Sequence, residues 1–459
     1  MKLLLLEPNN AREDPFAQCW FTADKKRFTA PLLALPVIAA LTPNDYEVEI
    51  RDEKIEAINF NEPCNLVAMS YKTKDALRTY QYAEEFRKRG IPVILGGMHA
   101  SLLPEEAAQY ANAVVVGEAE GIWPEVIRDF ETGRLRKIYL APKLVPLEAA
   151  PIPRFDLLKN GCYCVHSIQT SRGCLVGCEF CPVQEMFQGK TRHKPVGRVL
   201  EEIEAVQRID RKKDIFFIDE MFAGGNRSYQ KELLKELRRH RINFYCISDF
   251  KVMDPRYIWD LARSGCKKIS INMPGTCLPQ ELKAVRAIQK LGIDVWGYFM
   301  LGFSFHDVSV FDKIEEFVAK SGMKNVTLTV MTPFANTLMA RKISERNGIL
   351  TTDWNLYDQC HVVFQPERMS VEDLKSGFLG LWKDLEDFLR IRDSQMKDDR
   401  RERSMRRMAG VVSLGIEKAF DLLTGKKDQP VDLEAIIGKK KAEVSVTIDN
   451  VMERKRKVA

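Results

Sequence analysis

The chain has no long uninterrupted apolar run. The stretch from Ala30 to Leu41 is broken by Pro31 and Pro36 and falls well short of the ~20 residues that a membrane span requires. The opening run, Met1 to Leu6, is too short for a secretory signal and carries no small-residue cleavage site. The sequence therefore predicts a soluble or peripheral protein whose first residues form a strand.

Regularly paired cysteines are also missing. The 459 residues include 11 cysteines, an odd number without the spacing of a disulfide framework. This usage is typical of a reducing compartment. We expect a cytoplasmic protein, with peripheral contact at a membrane as a further hypothesis.

A broad excess of positive charge is missing from most of the chain. The net charge is +6, yet residues 391–459 hold 17 Lys and Arg against 12 Asp and Glu, a local balance of +5. The rest is close to neutral, which argues against binding of nucleic acid, because phosphates need a basic surface. With 459 residues and 45% hydrophobic content, the chain is long enough for two or three buried cores.

What the chain does have is three cysteines in one short loop. Cys174, Cys178 and Cys181 are spaced Cys-x3-Cys-x2-Cys. A structural zinc site takes four ligands, whereas a cubane iron–sulfur cluster with one open iron takes three from the protein. The spacing therefore favours a [4Fe-4S] cluster. The alternatives are a zinc loop with a distant fourth ligand, or buried thiols.

Residues 1–140 alternate short apolar runs with helical patterns. The runs are typical of buried strands: Leu3 to Leu6, Val48 to Ile50, Leu66 to Ser70, Val93 to Leu95 and Ala113 to Val116. This alternation predicts a doubly wound, Rossmann-like parallel sheet that binds ligands at the carboxyl ends of its strands. The candidates for cofactor contact at these ends are polar or glycine residues: Ser70, Thr73, Gly96, Gly97, His99, Gly117 and Glu118.

A proline-rich linker is predicted over residues 141–165, and a second α/β domain over residues 166–335. Six strand-like runs lie there, and each of the first five is followed by a helical pattern: Ser167 to Thr170, Ile215 to Ile218, Phe244 to Ser248, Lys268 to Asn272, Val295 to Leu301 and Val326 to Met331. Six repeats predict a partial (β/α)6 barrel of the TIM type, with functional groups at the carboxyl ends of its strands. The cysteine loop follows the first of these strands. Residues 336–459 are predicted to be mostly helical with a basic tail.

The cysteine loop, with Phe180 before its third cysteine, resembles the motif of the radical S-adenosylmethionine (SAM) superfamily. The resemblance implies that the open iron binds SAM and that the reduced cluster cleaves it to a 5′-deoxyadenosyl radical. It also implies a reductant such as flavodoxin or ferredoxin as a partner. Further cofactor contacts are expected at the ends of the later strands, from these residues: Phe180, Asp219, Glu220, Ser248, Asn272 and Gly302. Of these, Asp219 and Glu220 match the family's contact to the SAM amino group, and Gly302 its adenine segment.

The strand ends of residues 1–140, with Gly96-Gly97-x-His99 and Gly117-Glu118-x-Glu120, resemble the cobalamin-binding domain that precedes the barrel in one branch of this superfamily. The chain lacks the Asp-x-His-x-x-Gly motif, whose histidine binds cobalt in many cobalamin proteins. The resemblance therefore implies cobalamin and leaves the ligand of its cobalt open.

The segment Asp353-Trp354-Asn355-x-Tyr357-Asp358-x-x-His361 resembles a region of a subgroup that includes methylases of hopanoids and bacteriochlorophylls and ring-forming enzymes of tetraether lipids. We therefore expect a cobalamin-dependent C-methyltransferase that acts on an unactivated carbon of a large apolar substrate, a lipid or a tetrapyrrole. Tyr357 and His361 are the catalytic candidates. One alternative is a radical SAM enzyme that forms rings or carbon–carbon bonds without methyl transfer. The other is a non-catalytic iron–sulfur electron-transfer protein.

Overall fold

A computed structural model describes residues 1–9, 20–21, 30–141, 144–250 and 254–389. The hypotheses about the basic segment beyond residue 389, including membrane contact through it, lie outside the described residues. In chain order the strands are β1 Lys2–Glu7, β2 Trp20–Phe21, β3 Glu47–Asp52, β4 Leu66–Ser70, β5 Val93–Gly96, β6 Ala113–Val116, β7 Ile138–Leu140, β8 His166–Ile168, β9 Ser171–Arg172, β10 Arg192–His193, β11 Ile215–Phe217, β12 Phe244–Ser248, β13 Cys266–Met273, β14 Asp294–Leu301 and β15 Asn325–Val330.

The α-helices of the described residues lie mainly between these strands. They are α1 Ala34–Leu41, α2 Ala76–Lys88, α3 Met98–Leu102, α4 Pro104–Tyr110, α5 Trp123–Glu131, α6 Pro182–Phe187, α7 Val196–Ile209, α8 Arg227–Arg239, α9 Pro255–Arg263, α10 Pro279–Lys290, α11 Ser309–Ser321, α12 Leu338–Glu345 and α13, residues 371–389. Within the part of the chain that the structure covers, no helix combines the length and the apolar character that crossing a membrane requires.

The first sheet has six parallel strands in the order β3-β1-β4-β5-β6-β7. Both faces of its central strands are buried, as continuous apolar runs predict for a parallel sheet covered on two sides. In β1, Leu3 and Leu5 pack into one core, while Leu4 and Leu6 pack into the other. The predicted parallel sheet is therefore confirmed, with β7 as an additional edge strand.

The second sheet has seven strands in the order β2-β15-β14-β13-β12-β11-β8. Strands β8 and β11 to β15 are parallel neighbours in chain order, and they match the six predicted runs. The seventh strand, β2, comes from the amino-terminal region and pairs antiparallel with β15. Because six parallel strands end at the same edge, their following loops meet there.

The two sheets share one apolar core. A single buried cluster includes Leu5 and Ile94 of the first sheet together with Phe217 and Leu301 of the second. Residues Met1–Asp393 accordingly form one compact unit. The carboxyl edges of the two sheets are thus held in one fixed arrangement, which positions the residues considered below.

Candidate functional site

The cysteine loop joins β9 to α6 and is tightly folded. Gly173 begins it at φ +89°, and a Cβ there would lie 2.0 Å from the carbonyl oxygen of Lys190, so only glycine fits. Within the loop, the Cys181 amide donates to the Cys178 carbonyl at 3.1 Å. The Val176 amide donates to Cys174 Sγ at 3.4 Å. The backbone therefore supports the loop from both ends.

Burial shifts the pKa of two of the three thiols. Burial raises the pKa of Cys181 to about 11, and the neighbouring Cys178 and Cys174 add to the rise. Burial also raises the pKa of Cys174. Among the described residues, no group of three or more His, Cys, Asp or Glu side chains could hold a metal ion as it stands. The ligands of one ion converge on a point, whereas the ligands of a cubane bind three different irons and lie further apart.

Two carboxylates follow β11 and have different surroundings. Asp219 is fully buried and accepts hydrogen bonds from the amides of Thr170 and Ser171, their hydroxyls, and the amide of Ala223. Glu220 accepts from the Gly173 amide at 3.2 Å, and burial raises its pKa to about 7. Asp219 thus ties the loops together, while Glu220 lies beside the cysteine loop and is better placed to meet a ligand.

The later strands end in polar or aromatic residues. Ser248, at the end of β12, is buried, and its hydroxyl has no hydrogen-bond partner in the described structure. Asn272 is exposed near the end of β13. Phe180 of the cysteine loop packs edge-on against Phe303, which follows β14, with ring centroids 5.9 Å apart. These residues face the same edge as the cysteine loop.

Gly302 is held by a buried histidine, His306. The Gly302 amide donates to His306 Nδ1 at 3.2 Å, and His306 Nε2 lies 2.8 Å from the Pro274 carbonyl. Gly302 has φ +96°, and a Cβ there would lie 3.0 Å from the ring of Phe364. His306 therefore joins the loops after β13 and β14.

The carboxyl edge of the first sheet contains a buried hydroxyl without a partner. Thr73 Oγ1 makes no hydrogen bond among the described residues. Gly97 has φ +95°, and a Cβ there would lie 2.8 Å from Ser70 Oγ. Glycine at position 97 is thus required by packing between two loops. Gly96 and Gly117 also lie at this edge, at the end of β5 and directly after β6.

His99 lies below this edge and is fully buried. Its Nε2 is 3.3 Å from Glu106 Oε1, and its Nδ1 has no partner among the described residues. The indole of Trp354 covers the ring edge-on, with centroids 5.2 Å apart, and donates to Glu106 at 2.9 Å. Contact between His99 and a corrin stays a prediction, and the structure gives this ring other partners.

Glu118, directly after Gly117, forms ion pairs with two arginines of the β9–β10 ribbon. Its carboxylate accepts from Arg172 at 2.7 Å and from Arg192 at 2.7 and 2.8 Å. It also accepts from the Val145 amide at 2.6 Å. Hydrogen bonding of this kind lowers the pKa of Glu118 against the effect of its burial. The side chain connects the first sheet to the cysteine loop, and cofactor contact by it stays a prediction.

The two catalytic candidates lie at the end of β15. The buried Tyr357 hydroxyl donates to the Thr351 carbonyl at 2.8 Å, and burial raises its pKa. His361 is more exposed, and its Nδ1 is 2.9 Å from Asp358 Oδ2. The backbone of Gln359 accepts from the Val330 amide, which fixes this segment to β15. Of the two, His361 has the more accessible side chain.

Comparison with protein-family models identifies the family to which the cysteine loop belongs. Residues 168–276 match the family model described as the radical SAM superfamily, and this range contains all three cysteines. The chain contains a radical SAM domain. The expectation of a radical SAM enzyme is thereby confirmed.

The curated relatives of this radical SAM protein include several methyltransferases. Bacteriochlorophyllide d C-8(2)-methyltransferase of Chlorobaculum tepidum is 27% identical over 73% of this chain and 81% of the relative. Bacteriochlorophyllide d C-12(1)-methyltransferase of the same organism is 26% identical over 81% of this chain and 86% of the relative. Hopanoid C-2 methylase of Rhodopseudomonas palustris is 23% identical over 71% of this chain and 66% of the relative.

Among solved structures, the radical SAM methyltransferase TsrM of Kitasatospora setae, with cobalamin and a [4Fe-4S] cluster bound, matches with a TM-score of 0.59. The match has 18% sequence identity and covers 76% of this chain and 79% of TsrM. It shows that the radical SAM protein shares an α/β fold with parallel sheets.

The residues present fit the cofactors of a radical SAM domain, a [4Fe-4S] cluster and SAM. Three thiols in one short loop, with Cys174 and Cys178 close enough to act on the pKa of Cys181, and an amide donor to Cys174 suit the cluster. The partnerless hydroxyl of Ser248 suits a bound polar ligand, because buried polar groups normally have partners.

Sequence reasoning missed the two arginines that bind Glu118. Arg172 directly precedes the cysteine loop, and a charged residue at that position is a sequence feature that could have indicated a functional contact. Arg192 and the two-residue strand that contains it gave no hydrophobic pattern. Phe303 follows β14, and no sequence pattern indicated the contact of its ring with Phe180.

Proposed function

We propose that this protein is a cobalamin-dependent radical SAM methyltransferase that methylates an unactivated carbon of a large apolar substrate. One observation carries the proposal. The cysteine loop of the radical SAM domain is bonded through Arg172 to the carboxyl edge of a separate parallel sheet, where the buried hydroxyl of Thr73 has no hydrogen-bond partner in the described structure. A second cofactor at that edge would face the first.

The proposed organisation follows the two sheets. Residues 1–140 would be a Rossmann-like cobalamin-binding domain, 141–165 a linker, 166–335 a partial barrel that binds SAM, and 336–459 a region that covers the site. TsrM, with cobalamin and a cluster bound, supports the pairing of these cofactors. The bacteriochlorophyllide methyltransferases and the hopanoid methylase support a large apolar substrate, a tetrapyrrole or a lipid.

The proposed roles of the side chains are to hold the cofactors, to orient them and to exclude water. When bound, the cluster and SAM supply a radical that removes a hydrogen atom from carbon, and cobalamin supplies a methyl group. Cys174, Cys178 and Cys181 would hold the cluster. Glu220, whose pKa of about 7 reflects burial, would accept a hydrogen bond from the amino group of SAM.

The remaining contacts come from later strands. Ser248 would donate its partnerless hydroxyl to SAM, and Asn272 would present its amide from the next strand. The edge-on pair of Phe180 and Phe303 would shield the reacting atoms from water, which preserves a reactive intermediate. His361 would lie on the substrate side, oriented by Asp358.

The test uses SAM with a deuterated methyl group. The anaerobically reconstituted protein is incubated with dithionite, with and without cobalamin, and with a bacteriochlorophyllide or a hopanoid as probe. The expected result is 5′-deoxyadenosine, S-adenosylhomocysteine and a deuteromethylated product, all dependent on cobalamin. Formation of 5′-deoxyadenosine without S-adenosylhomocysteine would indicate ring formation or coupling instead. Failure to cleave SAM at all would indicate an electron-transfer protein.

Two further partners are proposed for the same enzyme. A flavodoxin or ferredoxin would supply the electron for SAM cleavage in the cell. The basic segment beyond residue 389 would dock on an anionic membrane that contains the substrate. Co-sedimentation with anionic liposomes that is unchanged by truncation at Lys397 would contradict the membrane contact.

A further inference from the structure

Two arginines and two glutamates form a buried network between the first sheet and the cysteine loop. We name Glu118, Glu120, Arg172 and Arg192 the arginine–glutamate bridge. Arg172 lies 2.7 Å from Glu118 and 2.9 Å from Glu120, and Arg192 lies 2.7 Å from Glu118. The side chains of the glutamates are 5% and 8% exposed, and those of the arginines 15% and 17%.

The bridge is built so that each charge has a partner. Arg172 and Arg192 are directly opposite in the β9–β10 ribbon, where like charges repel. Arg192 contacts both oxygens of Glu118, a bidentate geometry that fixes orientation as well as distance. Arg172 also donates from Nε to Gln169. If Arg172 turned away, Glu120 would lose its ion pair, and if Arg192 turned away, Glu118 would lose its bidentate partner.

The bridge also reaches the linker. Arg192 donates to the Val145 carbonyl at 2.5 Å, and the Val145 amide donates to Glu118. Glu118 therefore joins three parts of the chain: the first sheet, the linker and the ribbon. Contacts that join three separate parts of the chain are more than the stabilisation of one loop requires.

From Arg172 the path to the cysteine loop is short and stiff. Only Gly173 separates Arg172 from Cys174. Gly173 is packed against Lys190, and its amide donates to Glu220. A displacement of Arg172 would therefore be passed to Cys174 and Glu220 together.

We propose that Glu118 is a positioning residue that sets the distance between the cysteine loop and the carboxyl edge of the first sheet. This rests on the proposed function, in which a radical formed at one edge must meet a methyl donor held at the other. Reactions of this type are sensitive to geometry, and a misplacement of ~1 Å can cost about 100-fold in rate. The bridge therefore couples SAM cleavage to methylation by fixing the distance between the two edges.

The experiment compares Glu118→Gln with the wild type in the full chain. The amide keeps the size of the side chain but cannot pair both arginines. We expect methylated product per 5′-deoxyadenosine to fall about 10- to 100-fold while total SAM cleavage changes less. In the protein as purified, hydrogen exchange followed by mass spectrometry should show amides of residues 171–181 and 113–121 exchanging about tenfold faster.

Two other variants make the result decisive. Glu125→Gln removes an exposed ion pair between α5 and Arg136 in the loop before β7, and should alter neither readout. Arg192→Lys keeps the charge but loses the bidentate contact, and should shift both readouts in the same direction by less. It replaces Glu118→Gln if that variant does not fold.

Unchanged product ratio and unchanged exchange in the bridge variants would overturn the inference. Loss of SAM cleavage and methylation in equal proportion would do so as well, since that is what simple destabilisation predicts. If the wild type does not cleave SAM, the proposed function fails, whereas the exchange measurement still tests whether Glu118 fixes the cysteine loop.

Discussion

Cys178 is the middle residue of the cysteine loop and gives the most direct test of the cluster. Replacing it with alanine removes one of three ligands and leaves two, which is too few for a cubane. We expect Cys178→Ala to lower 5′-deoxyadenosine production by more than about 100-fold, because even the groups around metal ligands are worth 10- to 100-fold. Liquid chromatography of the reaction with SAM and dithionite measures it. Cys162→Ala, at an exposed cysteine outside the loop, is the control and should retain activity.

His306 gives a prediction about pH. Burial lowers the pKa of His306 from the ordinary 6.5, because a buried ring disfavours the charged form. The neutral ring accepts a hydrogen bond from the Gly302 amide at Nδ1. Since the folded pKa lies below the unfolded one, the stabilisation is complete above pH 6.5 and is lost as pH falls below it. His306→Phe should reduce the free energy of unfolding by about 1–3 kcal/mol at pH 7.5 and by less at pH 5.5.

The measurement is urea unfolding of wild type and variant at both pH values. Burial of His166 also lowers its pKa, so the wild type alone would not isolate one histidine. The difference between wild type and His306→Phe cancels that contribution. An equal loss at the two pH values would mean that His306 does not titrate as inferred.

At the scale of elements, Asp219 joins the end of β8 to the loop that follows β11. Its oxygens accept from the amides of Thr170, Ser171 and Ala223. In Asp219→Asn an NH2 group must face an amide donor, so at least one buried hydrogen bond is lost. We expect the free energy of unfolding to fall by about 2–4 kcal/mol. Asp156→Asn, which breaks an exposed ion pair with Arg154, should cost less than about 1 kcal/mol. Equal losses in the two variants would contradict the role assigned to Asp219.

The sequence predicted the long strands well because their signal is local. Runs such as Leu66 to Ser70 and Phe244 to Ser248 coincide with β4 and β12, since a strand buried on both faces must be continuously apolar. The short strands β2, β7, β9 and β10 were missed. Two or three residues carry no period, and β2 forms only because β15 provides a partner far along the chain.

The same reasoning explains which site residues could be anticipated. The cluster ligands were predictable because all three cysteines lie within eight consecutive residues. The contacts of Glu118 with Arg172 and Arg192 were not, because they join positions 54 and 74 residues apart. Glycine at 97 was predicted to admit a ligand, and the structure adds a reason of its own, since a Cβ there would lie 2.8 Å from Ser70 Oγ. A sequence pattern identifies the residue type that a position needs. The physical reason for that residue type depends on which residues surround the position in the folded chain.

At the scale of the whole molecule, the segment after β15 binds both sheets. The Gln359 carbonyl accepts from Val330 of β15, and the Trp354 indole donates to Glu106 of α4. Asn336 donates to the Leu102 carbonyl at 2.5 Å. Because this segment is bonded to β15 and to α3 and α4, it limits how far the two carboxyl edges can separate. It therefore adds a second connection to the one made by the arginine–glutamate bridge.

Trp354 tests this role. Its ring packs edge-on against both His99 and Tyr357, with centroids 5.2 and 4.8 Å away. We expect Trp354→Ala to lower the free energy of unfolding by about 2–4 kcal/mol, because the ring leaves a cavity and Glu106 loses a donor. Trp354→Phe keeps most of the packing and should cost about 1 kcal/mol. Trp259→Ala, which removes an indole that is 49% exposed, should cost less than either. Denaturant unfolding ranks the three variants, and hydrogen exchange over residues 351–364 should increase only in the two Trp354 variants. If exchange there is unaffected, the segment is held by its contacts with β15 alone, and the two edges are joined chiefly through Glu118.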